Sequence, residues 1–338
     1  MKKTVSITIP CRNEELYIEK CINSLLQNSY PNDLVTIYVC DGLSNDNTRE
    51  IVKKISKTNS NVILLDNKRK TTPYALNIGL KKSKSDIKII LGAHSEVDKH
   101  FIKESVAAFE KDEKIGCTGG VLENIYENYI SEIVGLAMSS PFGVGNAHFR
   151  TGAKDGYVDT VAFGAYKKEV FEKAGYFDES LTRNQDDEFN YRIIKHDFKI
   201  YLSKKIKCKY YVRGSFKKLF RQYYQYGYWK VFVNKKHKTV TSIRQLVPLF
   251  FVLFLVLGAG LSLLHWLIFY SFIFTCGLYV LSACLFALKL TSNIKNLFLI
   301  IYSFIILHVS YGSGYLIGIL DFLLLNKNPN KKEIKMSR

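Results

Sequence analysis

The first hundred residues alternate between short β-branched runs and longer segments with apolar positions every third or fourth residue. Val5–Pro10, Val35–Cys40, Val62–Leu65 and Ile87–Leu91 read as strands, and Glu15–Gln27, Thr48–Thr58, Thr72–Lys82 and Lys99–Phe109 as helices. In the first helix Ile18, Cys21, Ile22 and Leu25 recur at helical spacing, so one face packs on a sheet. Strands separated by helices of this length imply an α/β fold, a mostly parallel sheet with helices on both faces. Further on, Gly116–Val121 reads as a strand, Ser139–Gly156 as a Gly-rich loop, and Val158–Phe163 as a return to the sheet. Lys168–Ala174 and Gln185–His196 read as helices.

After Lys204 the pattern changes twice. Phe216–Val233 mixes aromatics with Lys and Arg, which predicts an amphipathic helix at a membrane surface, with an aromatic core helix as the alternative. From Leu246 the polar face disappears. Leu246–Leu264 and Trp266–Leu288 contain no acidic or basic residue, and each is near the ~20 residues that cross a bilayer as a helix. Leu297–Leu325 is longer and interrupted by His308, Ser310, Gly312, Ser313, Gly314 and Asp321. It reads either as a third span or as a hairpin that turns back at the polar break. Three crossings put the Lys-rich tail outside, against the positive-inside tendency; a hairpin keeps it in the cytoplasm. The expected division is 1–215 for the α/β domain, 216–244 interfacial, 245–325 transmembrane and 326–338 a basic tail.

Charge and cysteines refine the setting. Much of the net charge of +18 lies at Lys204–Lys238 and Asn326–Arg338, on either side of the apolar block. That placement predicts contact with anionic membrane lipids and needs no nucleic-acid partner, for which no recognition motif is present. Seven cysteines without Cys-x-x-Cys spacing fit a reducing compartment. No secretory signal pattern opens the chain, so the α/β domain is expected in the cytoplasm at the cell membrane.

Ligands in parallel sheets bind beyond the carboxyl ends of the strands. Polar clusters stand at those ends: Pro10–Glu14, Asp41–Thr48, Asp66–Lys68 and Gly92–Glu96. Pro10, Asn13 and Glu14 after the opening strand, with Asp41-Gly42-x-Ser44-x-Asp46-x-Thr48, together resemble family 2 glycosyltransferases of the GT-A fold. The membrane-bound branch of succinoglycan-type glucosyltransferases is the one resembled, over roughly residues 4–230.

The resemblance implies an inverting transfer from a nucleotide-sugar, expected to be a UDP-sugar, to a polyprenyl-linked saccharide acceptor in cell-surface polysaccharide synthesis. It assigns Asp41 to the nucleobase and places Pro10 and Glu14 in the nucleotide cleft. Asp46 and Thr48 are read as donor residues or as a helix cap, and Ala75-Leu76-Asn77-x-Gly79 as close packing beside the nucleotide. The family's metal motif, Asp-x-Asp or Asp-Ala-His, appears here as Gly92-Ala93-His94. His94 thus becomes the candidate ligand for Mn²⁺ or Mg²⁺, with imidazole favouring Mn²⁺, while the first acid is missing. Asp186, in Gln185-Asp186-Asp187-Glu188, falls on the position of the catalytic base. Gln225 and Trp229, in Gln225-Tyr226-Gly227-Tyr228-Trp229, resemble the acceptor-binding Gln-x-x-Arg-Trp of membrane synthases, with Tyr228 in place of Arg. The substitutions at Gly92, Gln185 and Tyr228 motivate an alternative, a degenerate member that binds nucleotide or a partner without catalysis. A transporter is disfavoured, since the spans carry few charges and no visible inverted repeat.

Overall fold

The computed structural model describes residues 2–152 and 155–329. In chain order the elements begin β1 (Val5–Cys11), α1 (Ile18–Leu26), β2 (Val35–Asp41), α2 (Thr48–Thr58), β3 (Val62–Asp66) and α3 (Thr72–Lys82). Then come β4 (Ile87–Ile90), β5 (Ser95–Val97), α4 (Phe101–Ala107), β6 (Ile115–Ile125), α5 (Tyr129–Met138), α6 (Pro141–Val144) and α7 (His148–Thr151). After them follow β7 (Gly156–Val158), β8 (Ala162–Lys167), α8 (Lys168–Ala174), α9 (Gln185–Lys195) and β9 (Lys199–Tyr211). The chain closes with α10 (Phe216–His237), α11 (Val247–Leu261), α12 (Trp266–Leu288) and α13 (Ile294–Gly318), the last running into a π-helical turn, Ile319–Leu324.

The chain divides into two compact units: Met1–Ile125 with His148–Tyr211, and Tyr126–Ala147 with Val212–Arg338. The first contains one sheet in the order β3-β2-β1-β4-β8-β6-β9-β5, with β7 also paired to β9. β1 lies parallel to β2 and to β4, and β2 to β3. Val5, Ile7 and Ile9 are fully buried, and so are Ser6 and Thr8 on the opposite face, as a central strand covered on both sides requires. Cys11 pairs with Asp41, and Asp41 with Asp66, so three polar strand ends stand in one row.

The expected four opening strands are present, within a residue at each end. Five expectations change, three of them in this first unit. The Lys204–Lys209 stretch is no simple basic flank. It belongs to β9, where Ile206, Cys208 and Tyr210 are buried and Lys205, Lys207 and Lys209 are exposed, the period-two pattern of a half-covered strand. Val158–Phe163 is split between β7 and β8 around Asp159–Val161, where the Thr160 hydroxyl accepts a hydrogen bond from Asn190 Nδ2 at 3.0 Å. Ser139–Gly156 holds α6 and α7, of four residues each, the first capped by the Ser140 side chain.

The second unit is helical. Tyr126–Ala147 joins it instead of the expected 1–215 domain. α5 is held there by an Asn128–Ser131 capping box and a 2.6 Å bond from the Tyr129 hydroxyl to Asn296. Among the described residues three helical segments are long and apolar enough to span a bilayer, Ile243–Leu261, Trp266–Leu288 and Ile294–Leu324. The hairpin entertained at His308–Gly314 does not form, because α13 continues through it. Its polar residues are used in packing. His308 Nε2 donates to the Phe142 carbonyl at 2.9 Å, which leaves Nδ1 to accept from the Tyr279 hydroxyl, also at 2.9 Å. The tail beyond residue 329 lies outside the described residues.

The glycines of α13 let α10 approach it backbone to backbone. A Cβ at Gly314 would stand 2.0 Å from the Tyr224 carbonyl oxygen, and one at Gly227 would stand 2.0 Å from that of Tyr311. Even Gly227→Ala must therefore separate the helices, at a cost of about 1–3 kcal/mol or more. Thermal unfolding in detergent should show the loss, whereas Gly277→Ala on α12, with nothing within 4 Å, should leave the midpoint unchanged.

Candidate active site

The row of strand ends builds the first half of the site. Asp41, the last residue of β2, is completely buried. Its Oδ2 accepts from the Ser44 amide at 3.1 Å and from Arg49 Nη1 at 2.7 Å. Its Oδ1 accepts the Ser44 hydroxyl and, weakly at 3.8 Å, the Cys11 thiol. Burial and the neighbouring Asp41 charge push the Cys11 thiol well above its ordinary range, so it remains a proton donor. Arg49 reaches on to Asp66 Oδ1 at 2.8 Å and so clasps the ends of β2 and β3. Pro10 lies beside Cys40 in the same register.

Asp46 and Thr48 bond to each other and to the segment that follows β1. The Thr48 hydroxyl and amide donate to Asp46 Oδ1 at 2.5 and 3.1 Å, and Asp46 Oδ2 takes the Glu15 amide at 3.2 Å. Thr48 Oγ1 in turn accepts the Glu14 amide at 2.8 Å. Partial burial pushes the Asp46 carboxyl up, but these donors outweigh it and hold the group below the usual carboxylate range. A depressed folded value contributes stability that is present above the unfolded value and lost as pH falls through the folded one. Wild type should therefore melt above Asp46→Asn at pH 7, and the gap should close below about pH 4. A gap independent of pH would contradict this assignment.

The second half of the site is the turn between β4 and β5. The Gly92 carbonyl accepts the Ser95 hydroxyl at 2.5 Å and the Cys21 thiol at 3.7 Å, which fixes the turn. His94 packs edge-on to Tyr210, ring centroids 5.4 Å apart, and its Nδ1 lies 4.0 Å from Glu14 Oε1. Glu14 is buried. β1 and β4 are neighbours in the sheet, and this adjacency brings the two residues together. Among the described residues no group of three His, Cys, Asp or Glu side chains is placed to hold a metal.

α9 carries the three consecutive acids, and the helix separates them by direction. Glu188 turns inward to a two-pronged pair with Arg192, at 2.7 and 2.8 Å. Arg192 also bonds the Ala174 and Tyr176 carbonyls, which ties α9 to the end of α8. Asp186, in the first turn, stays exposed, with its Oδ1 accepting the Asp187 amide at 2.9 Å. Asn77 of α3 braces the approach to α9. It donates to the Phe177 carbonyl at 2.8 Å and to Glu179 at 2.9 Å, and accepts the Phe177 amide at 3.0 Å.

Gln225 and Trp229 belong to the other unit, on α10, and both are buried. Trp229 meets Tyr228 and Phe232 edge-on, so in this conformation the ring is packed and is not an open platform. The Tyr228 hydroxyl donates to Asp321 Oδ2 at 3.0 Å.

Two arginines escaped the motif reading. Arg49 sits one residue past the Asp-x-Thr signature, and only the paired strand ends reveal its task. The Arg150 guanidinium lies 5.4 Å from the centroid of Tyr210, the ring that His94 contacts. No local pattern marks Arg150, because α7 comes to β6 only through the fold.

Comparison with known proteins gives the family and the fold. The family model described as glycosyl transferase family 2 matches residues 6–175. The dolichyl N-acetyl-alpha-D-glucosaminyl phosphate 3-beta-D-2,3-diacetamido-2,3-dideoxy-beta-D-glucuronosyltransferase of Methanococcus voltae is 34% identical over 231 residues, 66% of this chain and 71% of the relative. The succinoglycan biosynthesis protein ExoA of Rhizobium meliloti is 27% identical over 326 residues, 94% of this chain and 95% of the relative. Among solved structures, the mannosyltransferase PcManGT from Pyrobaculum calidifontis, in complex with GDP-Man and Mn²⁺, superposes with a TM-score of 0.62. It is 17% identical, and the match covers 92% of this chain and 87% of that one, a likeness of GT-A fold.

Proposed function

The chain belongs to glycosyl transferase family 2, and on that footing we propose that it transfers a sugar, with inversion, from a UDP-sugar to a lipid-linked saccharide at the cytoplasmic membrane face. The observation that carries this reading is the buried Asp41 carboxylate at the aligned ends of β1, β2 and β3. A uracil ring offers one N–H to such an acceptor. Cys11 holds its lone-pair site on Asp41 only weakly, so a base N–H can take it while Arg49 and Ser44 keep the carboxylate in place. Pro10 and Glu14 line the same strand end.

Asp186 is assigned as base. As the acceptor hydroxyl oxygen bonds to the anomeric carbon, its proton passes to the carboxylate. The bond from that carbon to the phosphate oxygen breaks on the opposite face, and the nucleoside diphosphate leaves with the electron pair. His94 is the residue that would hold a divalent ion, which when bound supplies positive charge to the diphosphate. An imidazole beside a buried carboxylate fits such an ion. Arg150, 5.4 Å from the centre of the Tyr210 ring that His94 also contacts, is a candidate to share in neutralising the leaving group.

The acceptor class is supported by the Methanococcus voltae relative, whose name gives a dolichyl-linked substrate, and by three helices able to span a bilayer. A role for Trp229 and Gln225 in acceptor binding requires that their burial be relieved when the acceptor arrives. The test supplies membranes with UDP-sugars labelled in the sugar and a polyprenyl-linked acceptor extract, and follows label into the lipid phase. Label in the lipid phase from one UDP-sugar supports the reading. Nucleotide binding with no transfer from any donor would favour the degenerate alternative that Gly92, Gln185 and Tyr228 motivate.

A further inference from the structure

We propose that Glu14 supplies the carboxylate that Gly92 lacks, so that Glu14 and His94 together form this chain's divalent-cation site; the assignment rests on the donor-site reading above. An acid at position 92 would begin in close quarters, where a neighbouring ring has to give by a few tenths of an ångström. A Cβ built on Gly92 would stand 3.1 Å from Phe163 Cε1 and 3.4 Å from His94 Cε1. Phe163 holds that place with φ +50°, a left-handed backbone that a bulky residue adopts only when its surroundings enforce it. The two acids downstream are engaged elsewhere. Glu96 accepts the Tyr211 hydroxyl at 2.5 Å, and Asp98 accepts the His100 amide at 2.8 Å.

Glu14 is the carboxylate that the sheet delivers instead. Its amide is anchored on Thr48, its side chain is buried, and Oε1 faces His94 Nδ1 across 4.0 Å. That gap is too long for a direct hydrogen bond. Two donors that each lie about 2.1 Å from a shared ion stand about 3 Å apart when adjacent and about 4.2 Å apart when opposite. The observed separation falls within that span. His94 is steadied by the Tyr210 ring and Glu14 by its anchored backbone, so the pair is held before any ion arrives. Two protein ligands leave the other positions to donor phosphates, and the imidazole favours Mn²⁺ over Mg²⁺.

The test measures Mn²⁺ binding by electron paramagnetic resonance on the full-length protein in detergent, with UDP present. It compares wild type with Glu14→Gln, Glu14→Asp and His94→Gln, and UDP affinity is measured separately without metal. Glu14→Gln is expected to weaken Mn²⁺ at least tenfold and to lower UDP affinity in metal-free buffer by much less, with Glu14→Asp recovering part of the Mn²⁺ loss. Wild-type Mn²⁺ affinity in Glu14→Gln would overturn the proposal. So would equal losses of UDP binding with and without metal, which would make Glu14 a nucleotide contact. Should Glu14→Gln not fold, His94→Gln carries the same metal test, and unchanged Mn²⁺ binding there overturns the site. If wild type transfers sugar without binding Mn²⁺, the inference fails and the transferase reading stands. If Mn²⁺ binds through both residues and no sugar moves, the reading fails and the site stands.

Discussion

Asp186→Asn is expected to lower turnover by about 10²–10⁴-fold, the range spanned by removal of a general base, while the KM for the donor changes little. The substitution is nearly isosteric, and an amide oxygen can still accept the Asp187 amide that Asp186 Oδ1 now holds at 2.9 Å. Loss of one negative charge in the first turn of α9 costs only about 0.3–1 kcal/mol of helix-dipole interaction, so the melting temperature should hardly move. The neighbouring acids provide the contrast. Glu188→Gln breaks the two-pronged pair with Arg192, which itself joins α9 to α8, and should reduce stability along with activity. Asp187→Asn removes charge without touching that pair and should retain most of the turnover. Steady-state kinetics and thermal unfolding of the three variants separate base from brace. Equal kcat losses at all three positions, with equal losses of stability, would show that the segment is only a fold element.

Arg49→Ala should have the second large effect, on stability and donor affinity together. Asp41 is fully buried, and Arg49 is its cationic partner at 2.7 Å. Removing one member of a buried pair costs about 3–5 kcal/mol, and the partial exposure of Arg49 places this case near about 3 kcal/mol. Without Arg49 the carboxylate loses the partner that orients it, and a base N–H loses the fixed acceptor it needs. The donor KM should then rise about tenfold or more, each factor of ten corresponding to 1.4 kcal/mol. Arg49→Lys keeps a charge but cannot bridge Asp41 and Asp66 at once, since an ammonium lacks the planar fork. It should recover only part of both losses. An unchanged donor KM in Arg49→Ala would remove Asp41 from nucleotide recognition.

The part of this site that lies within one strand and its following loop could be read from the sequence. Val5, Ile7 and Ile9 announce a buried strand, and Asp41 stands at the end of another, so local patterning was enough to place both strands and the acid that closes the second. Pairs set by sheet neighbours could not be read this way. Glu14 and His94 lie far apart in the chain and meet only because β1 and β4 are adjacent. Lys204–Lys209 misled because alternating lysines dominate the composition and hide the buried Ile206, Cys208 and Tyr210 between them. Gly312 and Gly314 suggested a chain reversal, since glycine serves turns as well as close helix contacts. Only the approach of α10 at Gly314 and of α11, through Pro248, at Gly312 shows which use applies. Trp229 is likewise buried, edge-on to Tyr228 and Phe232 of its own helix, which its aromatic-basic surroundings do not disclose.

The most direct measurement is release of nucleoside diphosphate by the membrane-embedded protein from a panel of UDP-sugars, with Mn²⁺ and a polyprenyl-linked acceptor, Asp186→Asn run beside wild type. The account predicts release from one donor that needs both acceptor and metal, and that falls to background in Asp186→Asn. Release unaffected by Asp186→Asn, or tight UDP binding with no release from any donor, would contradict it.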